Sequence, residues 1–411
     1  MHDLGSEGQS GLRFGEQTEK GPALTGGNSA HRAALAWPII LALSALDAAG
    51  YSVIAPVLPQ ISDATDAGPA IMGALVATFP AGMLFGFVAA APGIARGRTR
   101  AVLAVSLLVI AVGCLGFVVS DDLGVYFAAR ALMGFGSGGL WMGVTFASLE
   151  RSPGSEYAGM SRMLAAYSVG SVIGPALGAL GGVRAPFGAY LVLVLASVPL
   201  ALLLPLPVER KVFLSDHAAL RVPGFWLSCG VVLFAVLALG IVEGVLPLHF
   251  DSLLSQAEIG ALFVGLAFVL GGGAVVAGQL RPRVVVPMGV VLTVIGISWV
   301  GIADSVPAWI AALFVTGVGF AFSETGSVGL LFGAVGTERI VTAMIVYSQI
   351  AIAGYLIGPL AGGGVAEGLS FAWIGLVPLV AAIGLAPLVV GLRPQAAATE
   401  ASTAAARKGT R

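Results

Sequence analysis

The feature that most constrains this chain is a succession of long apolar runs, each about as long as a lipid bilayer is thick. A helix needs roughly 20 apolar residues to cross the hydrocarbon core of a membrane. Twelve such runs can be placed, with predicted bounds 34–60, 69–93, 101–120, 123–149, 158–183, 187–207, 222–250, 257–280, 284–303, 306–333, 340–366 and 371–392. Because 57% of the residues are hydrophobic and only 10% are charged, a soluble domain of this length is excluded. We predict an all-helical membrane protein with twelve transmembrane helices.

The distribution of basic residues predicts the orientation of these helices. If residue 1 is cytoplasmic, nearly all arginines and lysines fall inside or at inner helix ends, and Arg184 is the exception outside. The outer loops instead carry Asp63, Asp66, Asp121, Asp122, Asp251, Glu258, Asp304 and Glu367. Cytoplasmic loops are enriched in Lys and Arg. We therefore expect a multi-pass protein of the cell (inner) membrane with both termini in the cytoplasm.

The segments between the apolar runs predict how the chain is divided. Residues 1–33 lack the pattern of a cleavable signal and are rich in Gly and Ser, so we expect a disordered cytoplasmic tail. Residues 208–221 form the predicted central cytoplasmic loop. It separates a six-helix half over 34–207 from a second over 222–392, and residues 393–411 form a second cytoplasmic tail.

A repeated Gly-Pro string predicts that the two halves are related. The string G-x-x-x-G-P-x-x-G occurs in the fifth and eleventh runs, at Gly170, Gly174, Pro175, Gly178 and at Gly354, Gly358, Pro359, Gly362. At nearly the same offset, Gly134 and Gly136 match Gly317 and Gly319, and residues 57–59 match 245–247. Chance is the alternative, since the chain holds 59 glycines and 22 prolines. Gly permits close helix approach and Pro bends a helix, so we predict gating or helix-packing roles, with helices 5 and 11 packed across the two halves.

These motifs resemble those of the major facilitator superfamily, and in particular its drug:proton antiporters. The Gly-Pro string in helix 5 looks like the antiporter motif, with Ser161 where the fuller form has Gly. Arg130 to Gly136 resembles the helix 4 motif, with Met133 in place of Gln, and residues 50–59 look like the antiporter pattern at the end of helix 1. The loop after helix 2 departs from the superfamily signature, because Ile94 takes the place of its Asp. The resemblance implies two pseudo-symmetric six-helix halves around a cavity lined by helices 1, 4, 7 and 10.

Four isolated ionisable residues lie inside the apolar runs, at Asp47, Arg130, Glu243 and Glu324. A charge in hydrocarbon costs at least ~2.5–3.5 kcal/mol, so each marks a candidate functional position. They fall on helices 1, 4, 7 and 10, which the resemblance places around one cavity. We predict that they couple protons or bind substrate. Arg130 has a structural alternative, as a cation bonded to helix carbonyls or to a neighbouring carboxylate.

Helical spacing adds candidate cavity-lining residues. Side chains three, four or seven positions apart share a helix face, which selects Tyr51, Ser137, Trp141 and Phe320, with Tyr347 and Gln349 as further candidates. Aromatic walls beside charges suit an amphipathic ligand, including a cationic one. The alternative for each aromatic residue is packing or anchoring at the membrane interface.

We predict a proton-coupled exporter of a lipophilic or amphipathic small molecule, a drug or a natural product, that works by alternating access. Such an antiporter could confer multidrug resistance. The alternative within transport is a proton symporter that imports a small metabolite. No phosphate-binding Gly-Lys loop, paired catalytic carboxylate motif or metal-ligand cluster occurs, so we expect no enzyme activity, no cofactor and no metal. Cys114 and Cys229 are expected to be packing residues. We expect a monomer in the bilayer whose partners are the substrate and protons, and no nucleic acid.

Overall fold

The computed structural model describes residues 27–152, 156–205, 220–335 and 340–387, and the regular elements in these ranges are all helical. The helices are α1 Gly27–Ser52, α2 Leu58–Thr65, α3 Pro69–Ala95, α4 Thr99–Val119, α5 Leu123–Glu150, α6 Glu156–Gly178, α7 Arg184–Leu203, α8 Pro223–Gly244, α9 Leu246–Phe250, α10 Gln256–Ala277, α11 Pro282–Ile302, α12 Val306–Val335, α13 Ile340–Gly368 and α14 over 376–387. Short 3-10 turns occupy Ala55–Val57 and Phe371–Trp373.

Within the described residues, ten helical segments are long and apolar enough to cross a bilayer. They correspond to ten of the twelve predicted runs, which confirms the class of all-helical, multi-pass membrane protein. The run 158–183 forms α6, which is not among the ten. The run 371–392 forms a turn and α14, which spans about 18 Å at 1.5 Å per residue and is shorter than the ~30 Å hydrocarbon core. The count of twelve and the division into two halves stay predictions.

The predicted segment boundaries stay predictions, and little of the predicted tails and central loop lies in the described part of the chain. Helix α1 begins at Gly27, inside the predicted tail 1–33, because the alanines that precede the apolar run favour helix. Of the predicted central loop 208–221, all but the last two residues lie outside the described part of the chain. The predicted tail 393–411 lies wholly outside it.

Two predicted runs are single spans that break near one end. The first run is α1, a 3-10 turn and α2, and the seventh is α8 followed by α9. The cause is proline, which has no backbone N–H to donate to the carbonyl four residues earlier. Pro56 and Pro59 lie at the first break and Pro247 lies at the second. Each break therefore leaves backbone carbonyls of the preceding helix without an intrahelical donor.

The helices pack in two groups. In the amino-terminal group, α1 to α7, helix α5 packs against α3 and α4, α4 against α7, and α1 against α6. In the carboxy-terminal group, α8 to α14, helix α12 packs against α8, α10 and α11, and α8 packs against α13. The principal contacts between the groups are α3 with α13 and α6 with α10.

The two ends of the bundle differ in charge. We call one the acidic end, where the loops carry Asp66, Asp121, Asp122, Asp251, Asp304 and Glu367, and the other the basic end, where they carry Arg96, Arg98, Arg100, Arg151, Arg221 and Arg281. At the basic end, the Arg100 Nε atom donates to the Leu204 carbonyl at 2.6 Å, and Arg151 donates to the Pro205 carbonyl. These arginines thus bind the carbonyls of the two residues that directly follow α7.

The glycines of the repeated string pack inside each group. A methyl group at Gly174 would overlap the Ser52 hydroxyl of α1, and one at Gly358 would overlap the Leu237 carbonyl of α8. Gly170 and Gly354 likewise face the backbones of α1 and α8. Our prediction that these glycines pack α6 and α13 across the two halves is therefore wrong. They form instead the contact of α6 with α1 and that of α13 with α8.

The prolines of the same string, and not its glycines, face the other group. A methyl group at Gly73 of α3 would overlap the carbonyl oxygen of Pro359, and one at Gly260 of α10 would lie 2.9 Å from that of Pro175. Adjacent helix positions are about 100° apart around the axis, so a proline carbonyl and the preceding glycine can serve different neighbours. We call these two contacts the carbonyl seam.

Candidate functional site

Arg130 lies on α5 and is completely buried, where it binds the broken end of α1. Its Nη1 atom donates to the Gly50 carbonyl at 2.9 Å and its Nη2 atom donates to the Tyr51 carbonyl at 2.7 Å. These are among the last carbonyls of α1, which the end of the helix leaves without intrahelical donors. The planar fork of the guanidinium group matches two adjacent carbonyls. The structural alternative raised for Arg130, a cation bonded to helix carbonyls, is therefore the observed arrangement.

The guanidinium group also lies against aromatic rings. Its carbon atom is 4.4 Å from the ring centroid of Phe79 on α3 and 5.6 Å from that of Tyr51. The Tyr51 ring in turn lies 4.5 Å from the ring of Tyr355 on α13, centroid to centroid. The pair Tyr51 and Tyr355 is therefore a direct contact between the two helix groups, immediately beside the buried cation.

Asp47 lies one helical turn from Tyr51 and is bonded to Ser137 of α5. The Ser137 hydroxyl donates to the Asp47 Oδ1 atom at 2.6 Å, and both residues are 2% exposed. The other carboxylate oxygen, Oδ2, has no hydrogen-bond partner among the described residues. The structure thus brings together two residues that were selected separately, Asp47 as an isolated charge and Ser137 by its helical spacing from Arg130.

Glu243 lies in α8, directly before the break at Gly244. It is buried, and its Oε2 atom has no hydrogen-bond partner within the described residues. It is close enough to Arg130 for an electrostatic interaction, although the two form no ion pair within 4.0 Å in the described part of the chain. A buried polar atom without a partner is costly, so the site is suited to a ligand, a proton or water at this oxygen.

Glu324 lies in α12 beside a small hydroxyl network. The hydroxyls of Ser327 and Tyr347 are 2.6 Å apart, and Ser228 of α8 donates to the Ser327 carbonyl at 2.8 Å. Ser327 also bonds the backbone carbonyl of Glu324 at 2.7 Å. Glu324 itself is half-buried. The network ties α8, α12 and α13 together around this carboxylate.

The three carboxylates share one region, at which Tyr167 of α6 lies. Tyr167 is close enough to Asp47, Glu243 and Glu324 to interact electrostatically with all three. Its ring meets the ring of Trp141 edge-on, with the centroids 5.2 Å apart. Carboxylates from α1, α8 and α12 are therefore all within electrostatic range of one tyrosine, and their sharing of one cavity stays a prediction.

Two further predicted residues, Phe320 and Gln349, are wholly or partly buried. Phe320 is buried in the main apolar core, and Gln349 is half-buried with an Nε2 atom that has no hydrogen-bond partner among the described residues. Within that same part of the chain, no three His, Cys, Asp or Glu side chains are grouped as metal ligands.

The sequence analysis missed Tyr355, Phe79 and the two serines of the network beside Glu324, Ser228 and Ser327. A signal existed for Tyr355, which follows Tyr347 by eight residues and so shares its helix face. Ser327 follows Glu324 by three residues and could have been found in the same way. Phe79 is one of many apolar residues in α3, and no sequence feature distinguishes it.

Comparison with known proteins decides the family. The sequence profile of the Major Facilitator Superfamily matches residues 40–280, more than half of the chain. The chain belongs to the major facilitator superfamily. Membership of this superfamily, together with the ten apolar helices, confirms the prediction of a multi-pass membrane protein. The family and the relatives below are transporters, which confirms the prediction that the chain is not an enzyme.

Curated relatives of this superfamily member include amine transporters. The synaptic vesicular amine transporter of Rattus norvegicus is 26% identical over 308 residues, which cover 69% of this chain and 59% of that protein. The protein of the same name from Homo sapiens is 25% identical over 313 residues, which cover 70% and 60%. The chain thus spans about three fifths of the length of these relatives.

Solved structures of transporters share the fold. The nucleoside transporter NupG matches 86% of this chain and 98% of its own length, with a TM-score of 0.68 and 13% identity. A bacterial homologue of the human lysosomal transporter Spinster, in an inward-facing and occupied conformation, matches 86% and 92%, with a TM-score of 0.67 and 14% identity. At 13% and 14% identity, these matches show a shared fold and nothing about the substrate.

Proposed function

We propose that this protein is a proton-coupled secondary transporter that exports an amphipathic small molecule bearing a positive charge, such as a protonated amine. The single observation that carries the proposal is the charge balance of the buried site. Asp47, Glu243 and Glu324 all interact electrostatically with Tyr167, whose ring meets that of Trp141, whereas the buried guanidinium group of Arg130 is bound to two backbone carbonyls. Carboxylates and aromatic faces attract a cation, so the site favours a positively charged ligand.

The relatives support the same ligand chemistry. The curated proteins that match most of this chain are named amine transporters, at 25–26% identity. The likeness to the nucleoside transporter NupG carries no argument about substrate, because it is a likeness of fold at 13% identity. The protonated amine is therefore the ligand class that both the charges of the site and the named relatives favour.

Proton coupling follows from the same carboxylates. Burial away from water disfavours a charged carboxylate, so a carboxylate that meets water on one side and substrate on the other can exchange a proton for a cation. In alternating access, one end of the bundle closes while the other opens. The carbonyl seam supports a state that is closed toward the acidic end.

The direction of transport rests on the orientation of the chain. The Lys and Arg bias favours a cytoplasmic basic end and both termini in the cytoplasm of a cell membrane protein. With the basic end in the cytoplasm, the acidic end faces the outside of the cell, and it is the end that the described contacts close. A drug:proton antiporter that loads its substrate from the cytoplasm fits this arrangement, and an antiporter of lipophilic cations would confer resistance to such compounds.

Purified protein in liposomes tests the proposal. Ethidium is an aromatic cation with a fixed charge, so a pH gradient does not trap it as it traps a weak base. With the membrane potential clamped by valinomycin and potassium, an acidic lumen should drive ethidium uptake in protein-containing liposomes and not in protein-free ones. This sign holds for both insertion orientations, since antiport exchanges lumenal protons for external substrate.

The alternatives give different results in the same assay. Accumulation driven by an alkaline lumen would identify the proton symporter, and export would then be wrong. Equal ethidium uptake with and without a pH gradient would exclude proton coupling. Uptake of uncharged or anionic aromatic compounds with no uptake of ethidium would overturn the assignment of a cationic substrate.

A further inference from the structure

A third buried donor binds α1 beside Asp47, in addition to Arg130 and Ser137 of α5. The Tyr190 hydroxyl on α7 donates to the Leu46 carbonyl at 3.0 Å, and Tyr190 is buried. Leu46 directly precedes Asp47 in the chain. Donors from two neighbouring helices therefore converge within two turns of α1, around a carboxylate that is a candidate for proton coupling.

The Tyr190 bond is not needed to satisfy the Leu46 carbonyl. Inside an α-helix a carbonyl faces the N–H four residues later, which for Leu46 is the N–H of Gly50. A carbonyl oxygen has two lone pairs, so the hydroxyl adds a second bond. The carbonyls that Arg130 binds are different, because the end of α1 leaves them without intrahelical donors. The physical effect of the Tyr190 bond is therefore to fix the position of α1.

Gly50 provides the space that the Tyr190 hydroxyl occupies. A methyl group at Gly50 would overlap the hydroxyl oxygen, and it would lie 2.7 Å from the ring carbon that carries this oxygen. Glycine inside a helix is less favourable than alanine, and here the lack of a side chain is what admits the hydroxyl. Gly50 of α1 and Tyr190 of α7 thus form a matched pair.

Tyr190 is held by a stack of buried aromatic rings. Phe187 precedes it by three residues and so shares its helix face. The Phe187 ring stacks on Phe117 of α4, with the centroids 3.9 Å apart, and Phe117 stacks on Tyr126 of α5 at 4.9 Å. The hydroxyl is therefore presented to α1 from the same packed set of helices that carries Arg130.

We propose that Tyr190 is a positioning residue for Asp47, which acts through the backbone of α1 with Gly50 as its partner. The inference rests on the proposed proton-coupling role of Asp47. Tyr190 holds the residue before Asp47, and Arg130 holds the turn after it. A functional side chain keeps its geometry when neighbouring groups lock it in place. Asp47 is held in this way from both directions along α1.

Removal of the hydroxyl alone separates positioning from packing. In Tyr190→Phe the ring still fills the core, and the Leu46 carbonyl keeps its intrahelical donor, so the protein should fold. The backbone beside Asp47 then loses one of its constraints. Asp47 occupies its productive position for less of the time, and the coupling of transport to protons weakens. A residue with a packing role alone would leave this coupling unchanged.

Nuclear magnetic resonance tests the contact without a transported substrate. Leu46 and Asp47 form the only Leu-Asp pair in the sequence, so ¹³C-carbonyl leucine with ¹⁵N-aspartate gives a single cross-peak, from this peptide bond. For the full chain in lipid nanodiscs, the carbonyl shift of this peak should change in Tyr190→Phe. Tyr126→Phe removes a hydroxyl from the same aromatic stack, where its bond to Asp121 is 3.4 Å long, and should leave the peak in place.

Transport in liposomes tests the role. For each variant, ethidium uptake driven by an acidic lumen would be divided by ethidium exchange down its own gradient, which needs no coupling proton. We expect this ratio to fall about two- to twelvefold in Tyr190→Phe, the factor that corresponds to the loss of one hydrogen bond between uncharged groups. Tyr126→Phe should keep the wild-type ratio.

Gly50→Ala tests the same contact from the other helix. The added methyl group displaces the hydroxyl, so the Leu46 peak should shift and the transport ratio should fall as in Tyr190→Phe. Because both changes remove one bond, the double variant should lose no more than Gly50→Ala alone. If Gly50→Ala does not give folded protein, the isosteric Tyr190→Phe decides.

The inference and the proposed function fail in different ways. An unchanged Leu46 peak in Tyr190→Phe, or an unchanged transport ratio, would overturn the positioning role while wild-type uptake left the proposed function standing. Multiplied losses in the double variant would show that Tyr190 and Gly50 act independently, which also contradicts the matched pair. Absence of pH-driven ethidium uptake by the wild-type protein would overturn the proposed function, and the coupling role of Tyr190 with it.

Discussion

Arg130 holds α1 at the point where that helix ends and its last carbonyls lose their intrahelical donors. The guanidinium group binds two carbonyls and lies over the Phe79 ring. Its Nε atom has no hydrogen-bond partner among the described residues. Both terminal nitrogens of the side chain are therefore bonded to α1, and Glu243 lies within electrostatic range of the guanidinium group.

Arg130→Lys should lower both stability and transport. An ammonium group is a point charge and cannot reproduce a planar fork, so one of the two carbonyls loses its donor in a buried place. A hydrogen bond to a charged group contributes about 1.5–3 kcal/mol, and a drop of this order should appear as a lower unfolding midpoint in detergent. Full stability and full transport of Arg130→Lys would show that charge alone is needed there.

The buried carboxylates carry the second prediction at this scale. If Asp47 binds the coupling proton, Asp47→Asn should abolish transport driven by a pH gradient while the protein stays folded in the membrane. If Glu324 binds it, Glu324→Gln should have the same effect. Ethidium exchange down its own concentration gradient should persist. Ser137→Ala is the matched control for Asp47, because it removes the 2.6 Å hydrogen bond and keeps the carboxylate. Unchanged pH-driven transport in both carboxylate variants would contradict the assignment.

At the scale of the helices, the repeated string serves two packing surfaces at once. Its glycines join α6 to α1 and α13 to α8, and its prolines present carbonyls to Gly260 and Gly73 of the other group. The same arrangement recurs on both sides of the molecule. This recurrence is the packing that related halves would produce, and it gives the predicted repeat a physical role beyond composition.

Leucine at the two kinds of glycine should have different effects. Gly174→Leu and Gly358→Leu force helices apart inside a group, and overpacking of this kind costs about 1–3 kcal/mol or more, so folding yield and unfolding midpoint should fall. Gly73→Leu and Gly260→Leu meet the carbonyl seam between groups. The groups can separate there without unfolding, so yield should persist while transport is lost.

The control for all four glycines is Gly265→Leu on α10. A side chain there would meet nothing within 4 Å, and replacing a helical glycine should be neutral or slightly stabilising. Folding yield and size-exclusion profiles would be compared with ethidium transport for the five variants. Equal loss of folding in the seam and non-seam variants would mean that the seam is part of a rigid core and not a surface that opens.

At the scale of the whole molecule, hydrogen bonds between the two helix groups hold the acidic end closed, in addition to the carbonyl seam. Gln256, at the start of α10, donates to the Gly178 carbonyl at 2.7 Å and to the Gly182 carbonyl at 2.9 Å, and it accepts from the Gly182 N–H at 2.8 Å. On the other side, the Ala70 N–H donates to the Glu367 carboxylate at 2.8 Å. Both contacts join the amino-terminal group to the carboxy-terminal group.

Gln256→Ala should open the acidic end. Three hydrogen bonds between the groups are lost while both groups stay intact, so the open state should gain population. A reporter cysteine, Ala179→Cys, lies at the seam beside Gly260 and should react faster with a water-soluble maleimide in the Gln256→Ala background. Gln279→Ala changes the same residue type at the opposite end of α10 and should leave the rate unchanged. Equal rates in both backgrounds would show that the amide bonds do not hold the end closed.

The amino-acid sequence determined the class of this protein. Burying long apolar runs in a bilayer leaves helices as the structure that satisfies every backbone group within one segment, so ten spans could be placed from composition and length alone. The isolated charges could also be interpreted from the sequence, because an ionisable residue in such a run must face an internal polar space. Asp47, Glu243 and Glu324 could therefore be predicted to face an internal polar space before any contact was known.

The tertiary structure decided what each of these groups touches. The sequence left Arg130 between a coupling role and a structural one, and its bonds to Gly50 and Tyr51 depend on where α1 breaks relative to α5. From the sequence, we interpreted the glycine string as a contact between the two halves, but its glycines pack within each helix group. The reason is that motif spacing determines which residues share a helix face, whereas the tertiary structure determines which helix lies against that face. The contact of Tyr355 with Tyr51 across the groups forms only when the fold brings two distant segments of the chain together.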